Sequence, residues 1–292
     1  TRLQGDWSSD VCSSDLGHVL DKLEIIVKGG TFSYYPKRYA EESIRDVFYT
    51  CNTFKTEKGV VKLPERISRY PLQEEKRFNT VAKIKIIGIT IETRPDEITP
   101  SELRRYRRLG ITRVEMGVQH TDNSILKKVN RKSKIEDAYR AIKLLKDNCF
   151  KVDIHLMPGL PGSSLNIDKL MLKEVLSNPN LQVDQWKIYP TEITNNTRIK
   201  TWYEKGMYTP YYEKDEYALI NLQKYLATRI HRYIRINRIT RGFQKTNIVS
   251  KSQVKNTIRQ IANNELEKIG KKCNCIRCQR SEEHTSELQS PC

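Results

Sequence analysis

Residues 84–119 read IKIIGITIETRPDEITPSELRRYRRLGITRVEMGVQ, and the fold turns on this stretch. An apolar, largely β-branched run at 84–91 breaks into the polar cluster Glu92-Thr93-Arg94-Pro95-Asp96. Thr99 has the side chain of an N-cap, Pro100 falls where a helix tolerates a missing N–H, and Glu102 is spaced to complete a capping box. A helix is therefore predicted over 100–109, with Gly110 as its stop and a second apolar run at 111–118. Strand, helix and strand within about 35 residues make one βαβ unit of a parallel sheet. The first strand is apolar on both faces, as a strand covered on both sides should be. Ligands of such folds bind where the strands end, which directs attention to Glu92-Thr93-Arg94 and to Glu115 with Gln119.

On the N-terminal side, 23–27 is a short apolar strand followed by Gly29-Gly30-Thr31-Phe32. Two glycines there suit a tight turn or the close approach of backbone to a ligand. Residues 37–49 place Tyr39, Ile44, Val47 and Phe48 at helical spacing. The charged stretch 52–80 has no clear period and is expected to be a surface excursion with some helix. On the C-terminal side, 122–129 suits a helix, and 135–147 is an amphipathic one with Ala138, Ile142 and Leu145 on one face. A strand at 152–157 carries His155 and runs into the loop Pro158-Gly159-Leu160-Pro161-Gly162. Helices are predicted at 166–176, 197–205, 215–230 and 251–268, a strand at 184–189, and a strand with one basic face at 233–239. Five strands joined by four crossovers between 23 and 189 imply a parallel sheet, open or curled into part of a barrel.

The two ends read differently. With one codon choice, DWSSDVCSSDL at 6–16 and RSEEHTSELQS at 280–290 are translations of opposite strands of one DNA sequence, which looks like a sequencing-library adapter. Residues 1–16 and 280–292 are therefore expected not to be native, leaving an internal fragment of about 263 residues. The whole chain carries a formal charge of +17; without those ends Lys+Arg is 50 and Asp+Glu 29, a balance of +21. Such a field favours a polyanion such as RNA, or is simply a solvated basic surface. Arg235, Arg238 and Arg241, with Tyr233 beside them, are candidate RNA-binding residues or a solvated strand edge. No apolar run is long enough to cross a membrane. Five cysteines remain: Cys51 and Cys149 are expected to be buried thiols, and Cys273, Cys275 and Cys278 form a tight group. An odd count clustered in this way suits a metal site in a reducing compartment, here the cytoplasm, better than disulfides. Three thiolates need a fourth ligand to close a tetrahedral zinc site.

The motifs GGTF (29–32), GITIETRPD (88–96), TRVEMGVQ (112–119), NR (130–131), HLMPGLPG (155–162) and KIYP (187–190) occur in that order. Together they resemble the radical S-adenosylmethionine (SAM) domain of the Elongator catalytic subunit, a tRNA wobble-uridine modifying family, over about 19–278. The resemblance implies an α/β partial (β/α) barrel at 17–230 with its first strand missing, then a basic, helical, zinc-binding segment at 231–279. It also implies SAM, a [4Fe–4S] cluster and acetyl-CoA as cofactors. A 5′-deoxyadenosyl radical would activate the acetyl group for addition to C5 of uridine 34. On the same resemblance Gly29, Gly30, Thr31, Glu92, Gln119, Arg131 and His155 would bind SAM. Lys187 and Tyr189 would be catalytic, and Cys273, Cys275 and Cys278 would hold zinc. The bland readings are a Glu92–Arg94 pair, Gln119 capping the next helix, a solvated Arg131, a satisfied core His155 and a Lys187 capping carbonyls. Gly242-Phe243 and Asn148 depart from the usual family pattern. The cluster cysteines and the acetyltransferase domain that binds acetyl-CoA are missing from the sequence, so the chain is expected to be inactive as it stands. The expected partners are tRNA and other Elongator subunits or a second copy, with no membrane. Two other readings are a catalytically silent RNA-binding scaffold and another radical SAM enzyme, such as one that oxidises a porphyrinogen.

Overall fold

The computed structural model describes residues 21–57, 60–62, 68–195, 197–215, 217–240, 248–250 and 257–279. Both stretches read as adapter lie outside these residues, as do Arg241 and Gly242-Phe243. In chain order the elements are β1 (Lys22–Val27), α1 (Lys37–Thr53), β2 (Lys55–Glu57), β3 (Val60–Lys62), α2 (Leu72–Asn79) and β4 (Lys85–Thr93). Then come α3 (Pro100–Leu109), β5 (Arg113–Gln119), α4 (Asn123–Lys128), α5 (Ile135–Asp147), β6 (Lys151–Leu156) and α6 (Leu165–Ser177). The last are β7 (Gln185–Ile188), α7 (Arg198–Glu204), α8 (Tyr217–Ala227), β8 (Arg235–Arg238) and α9 (Ile258–Glu267). Six strands are ordered β1-β4-β5-β6-β7-β8 in one sheet, so strands successive along the sheet are also successive in the chain, apart from the β2–β3 hairpin. The chain divides into two compact units: the described residues up to Thr93 with Glu97–Glu115, and Arg94–Asp96 with those from Met116 onward.

In the first unit β1 runs parallel to β4, with Val27 opposite Ile91, so the chain leaves both strands at the same end. Ile89, Thr90 and Ile91 are all buried, which is what burial on both faces requires of successive residues. Thr99 caps α3 by accepting from the Glu102 N–H at 3.3 Å. The Glu102 carboxylate holds Arg105 at 2.6 and 3.0 Å rather than closing the predicted capping box, because the guanidinium one turn on is charged. Gly110 then takes the left-handed conformation, at φ 89°, that ends the helix. Residues 52–80 contain a short hairpin as well as helix α2. Helix α1 buries Ala40, Ile44 and Phe48, but Tyr39, expected on that face, is 47% exposed.

In the second unit β6, β7 and β8 are parallel, and His155 lies opposite Lys187. Ile154, Leu156, Trp186 and Ile236 are fully buried strand residues. Asp122 caps α4 and Ser164 caps α6, each accepting from a backbone N–H of the first turn. Cys149, expected to be a buried thiol, is exposed: it sits at φ 59° in the turn after α5, whose last residues face away from the core. Cys51 is buried, as expected, and burial pushes its thiol up to about 11. Among the described residues no helix is long and apolar enough to cross a membrane.

Candidate active site at the strand ends

Two of the expected groups belong to the first unit. Gly29 and Gly30 follow β1 with φ of 137° and 92°, a region that side chains rarely occupy. A Cβ on Gly29 would come within 2.8 Å of the Tyr35 hydroxyl, which donates to the Gly29 carbonyl at 3.3 Å. A Cβ on Gly30 would meet open space, so that glycine answers to backbone conformation and not to crowding. Thr31 leads into a 3-10 turn, Phe32–Tyr34, that buries Phe32 edge-on against Tyr106 (ring centroids 6.1 Å apart). Phe32 thus moors the glycine loop. Glu92 directly follows Ile91, at the end of β4 level with that loop.

Five of the expected residues belong to the second unit, and the structure gathers them. The Met157 N–H donates to the Gln119 carbonyl at 2.7 Å and the Tyr189 N–H to the Leu156 carbonyl at 2.8 Å, so β5, β6 and β7 end in step. Gln119 has φ 72°, a left-handed conformation that is rare outside glycine and that clusters at functional sites. Its side chain turns back over Gly117, while Arg131 reaches in from the turn after α4 and donates to the Gly117 carbonyl. A Cβ at Gly117 would stand 2.7 Å from both Gln119 Nε2 and Arg131 Nη2. Gly117 is therefore a floor on which an amide and a guanidinium converge. Gln119 Oε1 is buried with no hydrogen-bond partner among the described residues. The cap of the next helix is Asp122, which removes the bland reading of Gln119 as a cap.

His155 and Lys187 are both buried, face one another across β6 and β7, and so point to the same side of the sheet. Tyr189 packs edge-on against the imidazole with ring centroids 5.4 Å apart. Arg94, the bland partner of Glu92, is engaged by Asp96 at 2.5 Å. Burial pushes the Asp96 carboxyl up, but Arg94 beside it and Arg131 further off together hold it below its usual value.

The loop after β6 rests on residues that the sequence analysis passed over. The buried Asp168 accepts from the Gly159 N–H (2.7 Å), Ser163 Oγ (2.5 Å) and Tyr211 OH (2.8 Å), and lies 3.3 Å from His120 Nε2. Since His120 Nδ1 accepts from the Asp122 N–H, Nε2 is the nitrogen left to donate to Asp168. Tyr208 donates to the Gly159 carbonyl and Tyr212 to that of Thr191. The only sequence signal was a carboxylate one helical turn after the Ser164 cap, an ordinary surface pattern.

Cys273, Cys275 and Cys278 have sulfurs within 4.8 Å of one another and form the one metal-capable group of three among the described residues. The Asn274 N–H donates to Ala227 O at the end of α8, and the Ile276 N–H to Ile234 O ahead of β8. Thiol donation from Cys273 and Cys278 holds the Cys275 thiol well below its ordinary value. That chemistry fits three of the four ligands of a zinc site. Arg235 and Arg238 stand three apart, which on a regular strand means opposite faces. An irregularity in the β7–β8 pairing instead aligns them with Gln185 and Lys187, two apart on the neighbouring strand, so both take one face.

Residues 22–172 match the radical SAM superfamily and residues 183–268 the radical SAM C-terminal domain. The tRNA uridine(34) acetyltransferase of Methanocaldococcus infernus is 36% identical over 263 residues, 90% of this chain and 46% of that protein. Elongator complex protein 3 of Schizosaccharomyces pombe is 31% identical over 262 residues, 90% of this chain and 45% of its own length. The chain thus spans about half the length of these curated relatives. The solved structure of archaeal Methanocaldococcus infernus Elp3 with an N-terminal deletion superposes with a TM-score of 0.81 at 35% identity, over 93% of this chain and 60% of that one. The fold class is accordingly α/β, of the partial (β/α)-barrel kind.

Proposed function

We propose, from the premise that this chain belongs to the radical SAM superfamily, that it is the SAM-binding portion of a tRNA wobble-uridine (U34) modifying enzyme. The observation that carries the reading is the pairing of Gln119 and Arg131 over Gly117, in a chain 36% identical to a tRNA uridine(34) acetyltransferase. An amide with a buried, unanswered oxygen and a guanidinium on a glycine floor suit the ammonium, hydroxyls and carboxylate of an amino-acid nucleoside.

SAM bound with a [4Fe–4S] cluster supplies one-electron bond cleavage, chemistry that side chains cannot provide. In the second unit Gln119 and Arg131 would hold the methionine end and His155 would line the ribose side; in the first, Gly29, Gly30, Thr31 and Glu92 would offer groups for the ammonium. Lys187, a buried residue opposite His155, would hold an anionic or acyl group against the reacting carbon. Among the described residues no second group of three thiols offers a site for the cluster. The 292-residue chain alone is therefore expected not to turn over. Acetyl-CoA as acyl donor, carboxymethyl formation at C5, a zinc at the cysteine group, and assembly with Elongator subunits or a second copy in the cytoplasm complete the proposal.

The test is SAM binding by the full-length protein with its cluster reconstituted. Gln119→Ala and Arg131→Ala should each weaken binding by roughly 1.5–3 kcal/mol, the worth of a hydrogen bond to a charged group, with an unchanged circular dichroism spectrum. Wild-type affinity in both variants would refute the assignment.

A further inference from the structure

The sequence places its RNA candidates on β8, but a cationic concavity lies elsewhere. An open hollow of about 470 Å³ is lined, among the described residues, by Thr228, Arg229, Lys271, Lys272 and Asn274. It forms where the chain leaves α8 and where the segment after α9 returns against that helix end. Carbonyls at a helix C-terminus repel anions. Here Asn274 answers them: its N–H donates to Ala227 O at 2.9 Å and its Nδ2 to Thr228 O at 3.0 Å. The Arg229 guanidinium is laid over the Tyr225 ring at 4.2 Å and tied to Tyr225 O and Thr228 Oγ1, which fixes a planar fork at the rim. Lys271 and Lys272 are exposed. His231 and Tyr233, three and five residues past Thr228, stack in parallel at 5.5 Å; His231 Nε2 lies 2.8 Å from Leu176 O, Tyr233 OH donates to Gln182 Oε1 at 2.7 Å, and Tyr233 is 56% exposed. Cations at a helix end, with an exposed aromatic pair a few residues further along the chain, match an extended nucleotide chain, which offers phosphates and π-faces in succession, better than a free anion.

We propose that this hollow is a docking subsite for the sugar–phosphate backbone of RNA, distinct from the Arg235–Arg238 face. The proposal rests on the tRNA reading above and adds to it the place where the substrate is gripped.

The experiment measures binding of an unmodified transcript of a U34-containing tRNA to the full chain by fluorescence anisotropy across a salt series. The double variant Lys271→Ala/Lys272→Ala should bind roughly tenfold more weakly near 0.1 M salt, and its log K against log[salt] slope should be flatter by about 0.7–0.9 per lost phosphate contact. Tyr233→Ala should weaken binding and leave that slope unchanged, because stacking releases no counterion. Both lysines are exposed, so unchanged thermal unfolding should accompany the loss. If the double variant keeps wild-type affinity and slope while Arg235→Ala/Arg238→Ala loses both, RNA binds but not in the hollow, and the inference fails alone. If the unaltered chain does not bind tRNA, the partner reading falls and takes the inference with it. If inorganic phosphate at millimolar concentration displaces the tRNA from the unaltered chain, whereas chloride at equal ionic strength does not, the hollow is a site for small anions and the RNA assignment is overturned.

Discussion

At Gly117 a single missing methyl group leaves room for two functional side chains. The atoms that a Cβ would strike are the far ends of Gln119 and Arg131, which can swing away with little movement of backbone. Gly117→Ala should therefore change unfolding free energy by less than about 1 kcal/mol, yet displace both side chains and weaken SAM binding by the full-length protein. Unchanged affinity in a stable Gly117→Ala protein would show that the floor has no part in binding. Asp168 is the opposite case. Its carboxylate takes three donors within 2.8 Å and faces a fourth at 3.3 Å. Asn keeps one acceptor and turns an NH2 toward groups that themselves donate. Asp168→Asn should cost about 3 kcal/mol by urea denaturation, through buried donors left unanswered. A loss below about 0.5 kcal/mol would mean that the loop after β6 stands without it.

Among the elements, α4 owes its start to Asp122, which accepts from the Ser124 N–H at 2.7 Å and the Ser124 hydroxyl at 2.6 Å. The Ser124 hydroxyl is the main cause that holds the Asp122 carboxyl below its ordinary value. A carboxyl whose folded value is lowered stabilises the fold above its unfolded value, and that contribution is lost as pH falls through the folded one. Asp122→Ala should thus cost about 1 kcal/mol at pH 7, the usual worth of an N-cap, and less in strong acid. Equal costs at both ends of the range would place the effect outside the carboxylate. The cysteine segment connects α8 and β8 through Asn274 and Ile276. Purified protein should hold about one zinc per chain, and Cys275→Ser should lose most of it by elemental analysis. Metal-replete protein without zinc would refute the assignment.

For the whole molecule, the net charge of +17 predicts tRNA binding that weakens steeply with salt. A tRNA affinity indifferent to salt between about 0.05 and 0.2 M would mean that the cations face solvent and not RNA.

The sequence alone determined the parallel α/β fold, because a strand apolar on both faces such as 84–91, where β4 is buried in the structure only from Gly88 onward, and an amphipathic helix such as 135–147 differ in period, which is local. The caps Thr99 and Gly110 were legible for the same reason. The short strands β2 and β3 were not, since three residues show no period. Nor was the fate of Glu102, because the choice between a backbone N–H and Arg105 is made by geometry within the folded helix. Only the tertiary structure placed His155 opposite Lys187, 32 residues apart, and brought Arg131 over Gly117. It alone assembled the Asp168 hub and the cationic hollow from segments more than 40 residues apart in the chain. Such sites arise from strand register and chain return, and both are set by the packing of the whole core.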